Sequence, residues 1–337
     1  MNERKSFKLE EIPNLKGKVA IVTGANSGIG KQIALELARN ECHVILGCRS
    51  LISGEEAVNF IKKETGNSNV EVMELDLSSL NSVLAFIDDF NSRNLPLNIL
   101  INNAAVMGLP FQLTEDKLEI HFATNYLSHF LLTMKLLDKL EQSAIVSPRT
   151  SSESNSRCSS ESKDQRPFMS RIVNVASSLH SLVKKIDIEK LQNQDYYPTY
   201  MTAYSISKTL NILFTKKLSE VLKEKGKQGI FVNCNDPGLS PTNLQRNLKQ
   251  SNGLFGFIGE LGVGILGKKP EKTCLTTLYL ATSSEIETLN ISGQYIIPPC
   301  KVSRPSKLVE NGSMTQRVWD FTQNLLKSKL ASDYTIF

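Results

Sequence analysis

Along this chain, short unbroken apolar runs alternate with longer stretches whose apolar positions recur every three or four residues. The runs fall at 18–22, 43–48, 70–75, 99–102, 171–175 and 230–233. A strand buried on both faces needs such a run, whereas a strand with one wet face would alternate. The periodic stretches fall at 31–40, 54–63, 80–93, 121–140 and 202–225, the first carrying Ile33, Leu35, Leu37 and Ala38. Regular alternation of strand and amphipathic helix predicts an α/β fold: one doubly wound parallel sheet, flanked by helices and joined by right-handed crossovers.

Two segments depart from that pattern. Residues 141–168 are rich in serine and poor in apolar side chains, which predicts a disordered insertion. It would join a helix to the fifth strand at the end of the sheet remote from the strands' carboxyl termini, where ligands bind in such folds. Residues 254–266 are apolar but too short to span a bilayer and too glycine-rich for a firm helix. They are read as a mobile lid over an apolar pocket, with a peripheral membrane contact or a core segment as alternatives. The expected organisation is an N-terminal extension at 1–14, one domain at 15–330 and a tail at 331–337.

Composition narrows the function. With 40% hydrophobic residues in 337, a full core can be buried. The formal net charge of +5 is mild and dispersed, so no nucleic-acid partner is expected. The six cysteines form no C-x-x-C pair and the four histidines no metal-ligand grouping, which points to reduced thiols, a cytoplasmic setting and no metal. Residues 1–18 are too polar for a signal peptide or membrane span.

Candidate chemistry begins at the first strand. Gly24, Asn26, Ser27, Gly28, Ile29 and Gly30 follow it and precede a helix. Glycines in that place let a backbone approach a pyrophosphate, and the helix N-terminus favours negative charge. At the end of the second strand stands Arg49, where an acidic residue would favour the ribose hydroxyls of NAD; a basic one suits the ribose phosphate of NADP(H), with NAD(H) as the alternative. Asp76 and Leu77 after the third strand suit an adenine ring, although Asp76 equally suits a helix cap. Asn103, Ala104 and Ala105 are small enough to let the chain pass a cofactor ribose, and Pro237 and Gly238 form a turn that could meet a nicotinamide carboxamide.

Tyr204 and Lys208 stand four residues apart, hence on one helix face. An ammonium beside a phenol lowers its pKa and makes it an acid/base near neutral pH. Ser177, or its rival Ser178, can bond a carbonyl or carbinol oxygen at the end of the fifth strand. No acid is placed to orient a Ser/His pair with His180, which argues against hydrolysis.

Taken together, the glycine turn, Cys48-Arg49, Asn125 in Asn-Tyr-Leu-Ser-His-Phe, and Tyr204 with Lys208 resemble the short-chain dehydrogenase/reductase family. The retinol-dehydrogenase-like branch, with the catalytic domains of WW domain-containing oxidoreductases, is most similar. The resemblance implies a single Rossmann-type sheet and a relay in which Tyr204 is the acid/base. Lys208 would lower its pKa and bind the nicotinamide ribose, Ser177 would hold the reacting oxygen, and Asn125 would anchor a water. It implies a small lipophilic alcohol, ketone or aldehyde as substrate, and is compatible with a homodimer. Ala105, Ser27 and Asp236 depart from the family's usual glycine, basic residue and histidine or asparagine. A different class, a cofactor-binding regulator or scaffold with little turnover, is the second expectation.

Overall fold

A computed structural model describes residues 6–145, 168–197, 199–238 and 270–330. Eight strands form one sheet in the order β3-β2-β1-β4-β5-β6-β7-β8. They are β1 Val19–Thr23, β2 His43–Cys48, β3 Val70–Glu74, β4 Ile99–Asn102, β5 Ser170–Val175, β6 Ile230–Asn235, β7 Tyr295–Ile297 and β8 Lys301–Ser303. The first six are the apolar runs, paired in parallel, with β1, β4 and β5 buried along their whole length. β7 joins in parallel and β8 closes the edge antiparallel. The order reverses between β1 and β4, so the loops after these two strands diverge and leave a crevice at the carboxyl edge.

Helices cover both faces. On one, α1 Gly28–Arg39 and α2 Leu51–Thr65 pack with the helix Leu275–Thr282 through Ile33, Leu37, Val58, Ile61 and Leu278. On the other lie α3 Leu80–Ser92, then Ile120–Phe122 (α4), Ser128–Lys135 (α5), Leu137–Ile145 (α6) and Tyr200–Glu224 (α7). Phe130 and Phe214 meet there at 4.8 Å between ring centres, with Trp319 of Gly312–Lys329 edge-on to Phe130 at 5.2 Å.

The helix expected at 121–140 is not continuous. A π-turn occupies Ala123–Leu127 between α4 and α5, and the chain breaks again at Leu136 before α6. Single π-turns inside helices shift the register of one face and recur at functional sites. Here the turn carries Asn125. Helix α6 also takes in Glu141 and the residues after it, which were expected to be part of the serine-rich insertion. Phe168, at the other end of that insertion, is described as well; residues 146–167, and the apolar segment 254–266, lie outside the described residues.

Where the chain returns to the sheet, Arg171 is fully buried between the rings of Phe168 and Phe231, 5.2 and 5.1 Å from their centres. It donates to Glu287 at 2.6 Å, and Glu287 also accepts from the N–H of Met169. Cys42, Cys48, Cys234, Cys274 and Cys300 are buried and in no disulfide, and burial pushes the Cys42 thiol up to about 12. Among the described residues, no helix is long and apolar enough to cross a membrane, and no group of His, Cys, Asp and Glu could hold a metal.

Candidate active site

The crevice holds two adjoining cavities. The first, about 270 Å³, is lined by Gly24, Asn26–Gly30, Asn103–Met107, Val175, Ala176, Tyr204, Lys208 and Pro237. The second, about 360 Å³, shares Gly24, Asn26 and Ala104–Val106 and adds Arg49, Ser53, Asp76 and Leu77. Fifteen of the sequence candidates thus share one cleft. Gly238 stands just past Pro237 with φ +81°, its N–H donating to Asp236 Oδ1 at 3.0 Å. Asn125 and Ser177 line neither cavity.

The floor is built for a close approach of backbone. Gly24 has φ +65°, and a Cβ there would lie 2.9 Å from Ala104 Cα and Cβ. A Cβ on Gly30 would lie 2.5 Å from Asn103 Nδ2 and from Gly24 O. Ser27 begins α1 without capping it, whereas Ser50, Ser79 and Thr199 cap α2, α3 and α7 with their side chains. The first-turn N–H groups of α1 therefore face the cleft without a side-chain acceptor, which is the donor set a pyrophosphate requires. The residues present fit a dinucleotide.

Thr23 ties the two loops of the crevice together. Its Oγ1 accepts from the N–H groups of Asn103 and Ala104, at 2.9 Å each, and its carbonyl accepts from Asn103 Nδ2 at 2.8 Å. With both lone pairs used, the Thr23 hydroxyl donates to His129 Nε2 at 2.9 Å; its other acceptor, Ile101 O, is at 3.5 Å. His129 Nε2 is then bare of a proton, so Nδ1 carries it and donates to Asn125 O at 3.1 Å. Burial, aided by the Lys208 charge, pushes His129 down to about 3 and keeps it neutral. This chain joins the β1 and β4 loops to the π-turn. The sequence reading missed it, because a lone histidine on an apolar helix carries no sign of its partner a hundred residues away.

Asn125 is held on its other side as well. Its Oδ1 accepts from Val106 N at 2.7 Å, and its Nδ2 donates to Val106 O and to Ser207 Oγ, both at 2.9 Å. Ser207 sits between Tyr204 and Lys208 in α7 and bonds Tyr204 O at 2.7 Å. Asn125 thereby fixes the wall formed by Val106 and the helix that bears Tyr204.

Tyr204 and Lys208 are both nearly inaccessible. Ser177 gives Tyr204 a side-chain hydrogen bond, whereas Ser178 is exposed. Lys208 Nζ donates to Val175 O at 2.7 Å and lies 5.6 Å from the centre of the Tyr204 ring. The expected depression of the phenol is not present in this state. Burial first, and the nearby Asp236, push Tyr204 above its ordinary range, against the opposing bond from Ser177. Lysine does not offset this because burial pushes Lys208 itself down to about 7, only partly countered by Asp236, so its ammonium is half discharged at neutral pH. His180 accepts from Ser306 N on Nε2 and donates from Nδ1 to Ser177 O, so both its nitrogens hold backbone.

Asp76 accepts from both the N–H and the hydroxyl of Ser78, at 2.9 and 2.6 Å, so it shapes its own turn while lining the second cavity. Arg49 is exposed on the rim of the same cavity.

A cleft of this kind, with a glycine cradle at one end and a Tyr–Lys pair at the other, defines a dinucleotide-dependent oxidoreductase. The model of the short chain dehydrogenase family matches residues 18–152. Retinol dehydrogenase 13 of Mus musculus is 37% identical over 318 residues, covering 94% of this chain and 86% of that protein. Retinol dehydrogenase 11 of Homo sapiens is 36% identical over 315 residues, covering 93% and 86%. Short-chain dehydrogenase TIC 32 A, chloroplastic, of Brassica napus is 35% identical over 315 residues, covering 93% and 90%. Among solved structures, an uncharacterized protein from Mycobacterium Paratuberculosis superposes with a TM-score of 0.71 at 26% identity, over 96% of this chain and 98% of its own. The RhlG/NADP complex of Pseudomonas aeruginosa shares the fold, with a TM-score of 0.60 at 19% identity over 85% and 96%.

The chain belongs to the short-chain dehydrogenase/reductase family, in its retinol-dehydrogenase-like branch. It is an oxidoreductase acting on CH–OH or C=O groups with a nicotinamide dinucleotide.

Proposed function

We propose that this enzyme prefers NADP(H) and interconverts a carbonyl and an alcohol on a lipophilic substrate, with Tyr204 as the proton donor and acceptor. The observation that carries the reading is the single cleft in which Tyr204 and Lys208 face the uncapped start of α1. A bound nicotinamide dinucleotide supplies or accepts the hydride.

The protein's own part is orientation and proton transfer. Ser177, bonded to Tyr204, holds the reacting oxygen against the phenol. In reduction Tyr204 gives its proton to the developing alkoxide; in oxidation it takes the proton back. Its raised pKa keeps the phenol protonated before the reaction begins. Lys208, held by the Val175 carbonyl, restores the charge balance beside the phenolate. Asn125 Oδ1 and Nδ2 are spent on Val106 and Ser207, so a water on the path from Lys208 would bind the Asn125 carbonyl beside His129.

Arg49 supports the NADP(H) preference, since a guanidinium at the rim of the second cavity can pair with a ribose phosphate. The relatives' names support a lipophilic alcohol or aldehyde. Calorimetric titration with NADPH and NADH tests the cofactor assignment. NADPH should bind more tightly, and Arg49→Ala should remove about ten- to a hundred-fold of that advantage, the range of a charge-assisted bond. Binding of neither cofactor would overturn the reading.

A further inference from the structure

A third pocket, about 210 Å³, lies beside the cleft. Leu109 lines both it and the second cavity, and Ala203, which precedes Tyr204, lines its wall. One side of it is apolar, formed by Leu109, Pro110 and the tilted pair Phe111 and Tyr197, with ring centres 6.1 Å apart; Glu119, His121, Gln194 and Thr199 make the rest of its wall polar. Tyr197 spends its hydroxyl on Leu191 O at 2.7 Å.

One polar group in that wall is unused. His121 is fully buried, and its Nε2 has no hydrogen-bond partner among the described residues. Its Nδ1 lies 2.7 Å from Glu119 Oε1, while Glu119 Oε2 accepts from Phe122 N at 2.8 Å. A carboxylate that accepts on both oxygens places the imidazole proton on Nδ1, and Nε2 is left as a bare acceptor. Gln192 is anchored to the same residue, its Oε1 accepting from Glu119 N at 2.6 Å. Its Nε2 is also enclosed without a partner among the described residues, but Gln192 does not line the pocket, so His121 alone offers it an unpaired group. An enclosed acceptor left unpaired is costly, and a native fold keeps it when something completes it.

We infer that this pocket is a second recognition point for the substrate, taking a hydroxyl carried well away from the reacting carbon. A hydroxyl can donate to the bare His121 Nε2; a carbonyl or an ether cannot. The substrate class is then an apolar molecule oxygenated at two separated positions: a diol, a hydroxyaldehyde or a hydroxyketone. The inference rests on the carbonyl/alcohol reading above and narrows it.

Binding of unreactive partners separates the two. Calorimetry on the full chain would compare primary alcohols from hexanol to decanol with the matching terminal diols. At one chain length or more, the diol should bind about ten-fold tighter than the monoalcohol, the effect of one well-made hydrogen bond. His121→Leu should erase that gain and leave monoalcohol binding unchanged. Should His121→Leu fail to fold, the wild-type comparison of diol and monoalcohol stands by itself. Equal binding of diol and monoalcohol at every length, or binding of neither, overturns the inference: the pocket then holds water only. A diol gain without reduction of any of the corresponding hydroxyaldehydes by NADPH overturns the substrate reading instead and leaves the pocket's specificity standing.

Discussion

Replacing Thr23 with valine keeps the shape of the side chain and removes one oxygen. That oxygen is completely buried and makes three bonds of 2.9 Å, to Asn103 N, Ala104 N and His129 Nε2. The substitution leaves all three groups without it. The two N–H groups sit in a half-buried loop and would regain some water, so each loses about 1 kcal/mol; the His129 nitrogen is fully enclosed and loses about 1–3 kcal/mol. The expected sum is about 3–5 kcal/mol, a large share of a typical domain's stability. Urea unfolding should show the midpoint falling by about 1 M or more, with the slope unchanged. Thr23→Ser keeps the oxygen and should recover most of the loss. A valine variant within about 0.5 kcal/mol of the serine variant would refute the reasoning, because it would mean that the hydroxyl does not join the two loops.

Other expectations follow from the same geometry. His129 is held near pH 3 in the fold against about 6.5 when unfolded, so the unfolded chain binds the extra proton between those values. Stability should fall as pH drops from about 6.5 towards 3, by on the order of 4 kcal/mol, and His129→Gln should flatten that limb in acid-unfolding curves. Lys208 has the same sign at higher pH: depressed to about 7, it makes the fold gain stability as pH rises from 7 towards 9, by about 2 kcal/mol, and Lys208→Met should abolish the gain in denaturant titrations across that range. Tyr204→Phe should lower kcat by about 10²–10⁴ while calorimetry shows dinucleotide affinity within a few-fold of wild type; normal turnover would remove Tyr204 from the chemistry. Gly30→Ala pushes a methyl against Asn103 Nδ2 and Gly24 O, so dinucleotide binding should fall below detection in the same calorimeter while the fold survives by thermal melt.

Six strands were legible because each is an apolar run that only a doubly covered position would tolerate. β7 and β8 escaped notice: each is three residues long, they are separated by Pro298, Pro299 and Cys300, and so short a pair shows no period. The π-turn escaped for another reason. Residues 121–140 keep helical spacing throughout, and one extra residue in a turn alters which side chains face the cleft without altering composition. Of the site, the residues whose type is unusual for their place could be found, such as glycines after a strand, a basic residue after β2, and a tyrosine paired with lysine. Groups recruited through common residues could not. Thr23, His129 and Gln192 become informative only when partners distant in sequence are brought within 3 Å of them. The protonation of Lys208 was likewise invisible, because it depends on burial, and spacing says nothing of how much water a helix face retains.

The clamp at the start of β5 matters at the strand's far end. Arg171, pinned between two rings and tied to Glu287, fixes the point at which the chain re-enters the sheet, and it does so at the pole opposite the cleft. The clamp thus acts as a mooring: it fixes the register of β5 at one pole, and that register sets Val175 O at the other, where Lys208 Nζ meets it at 2.7 Å.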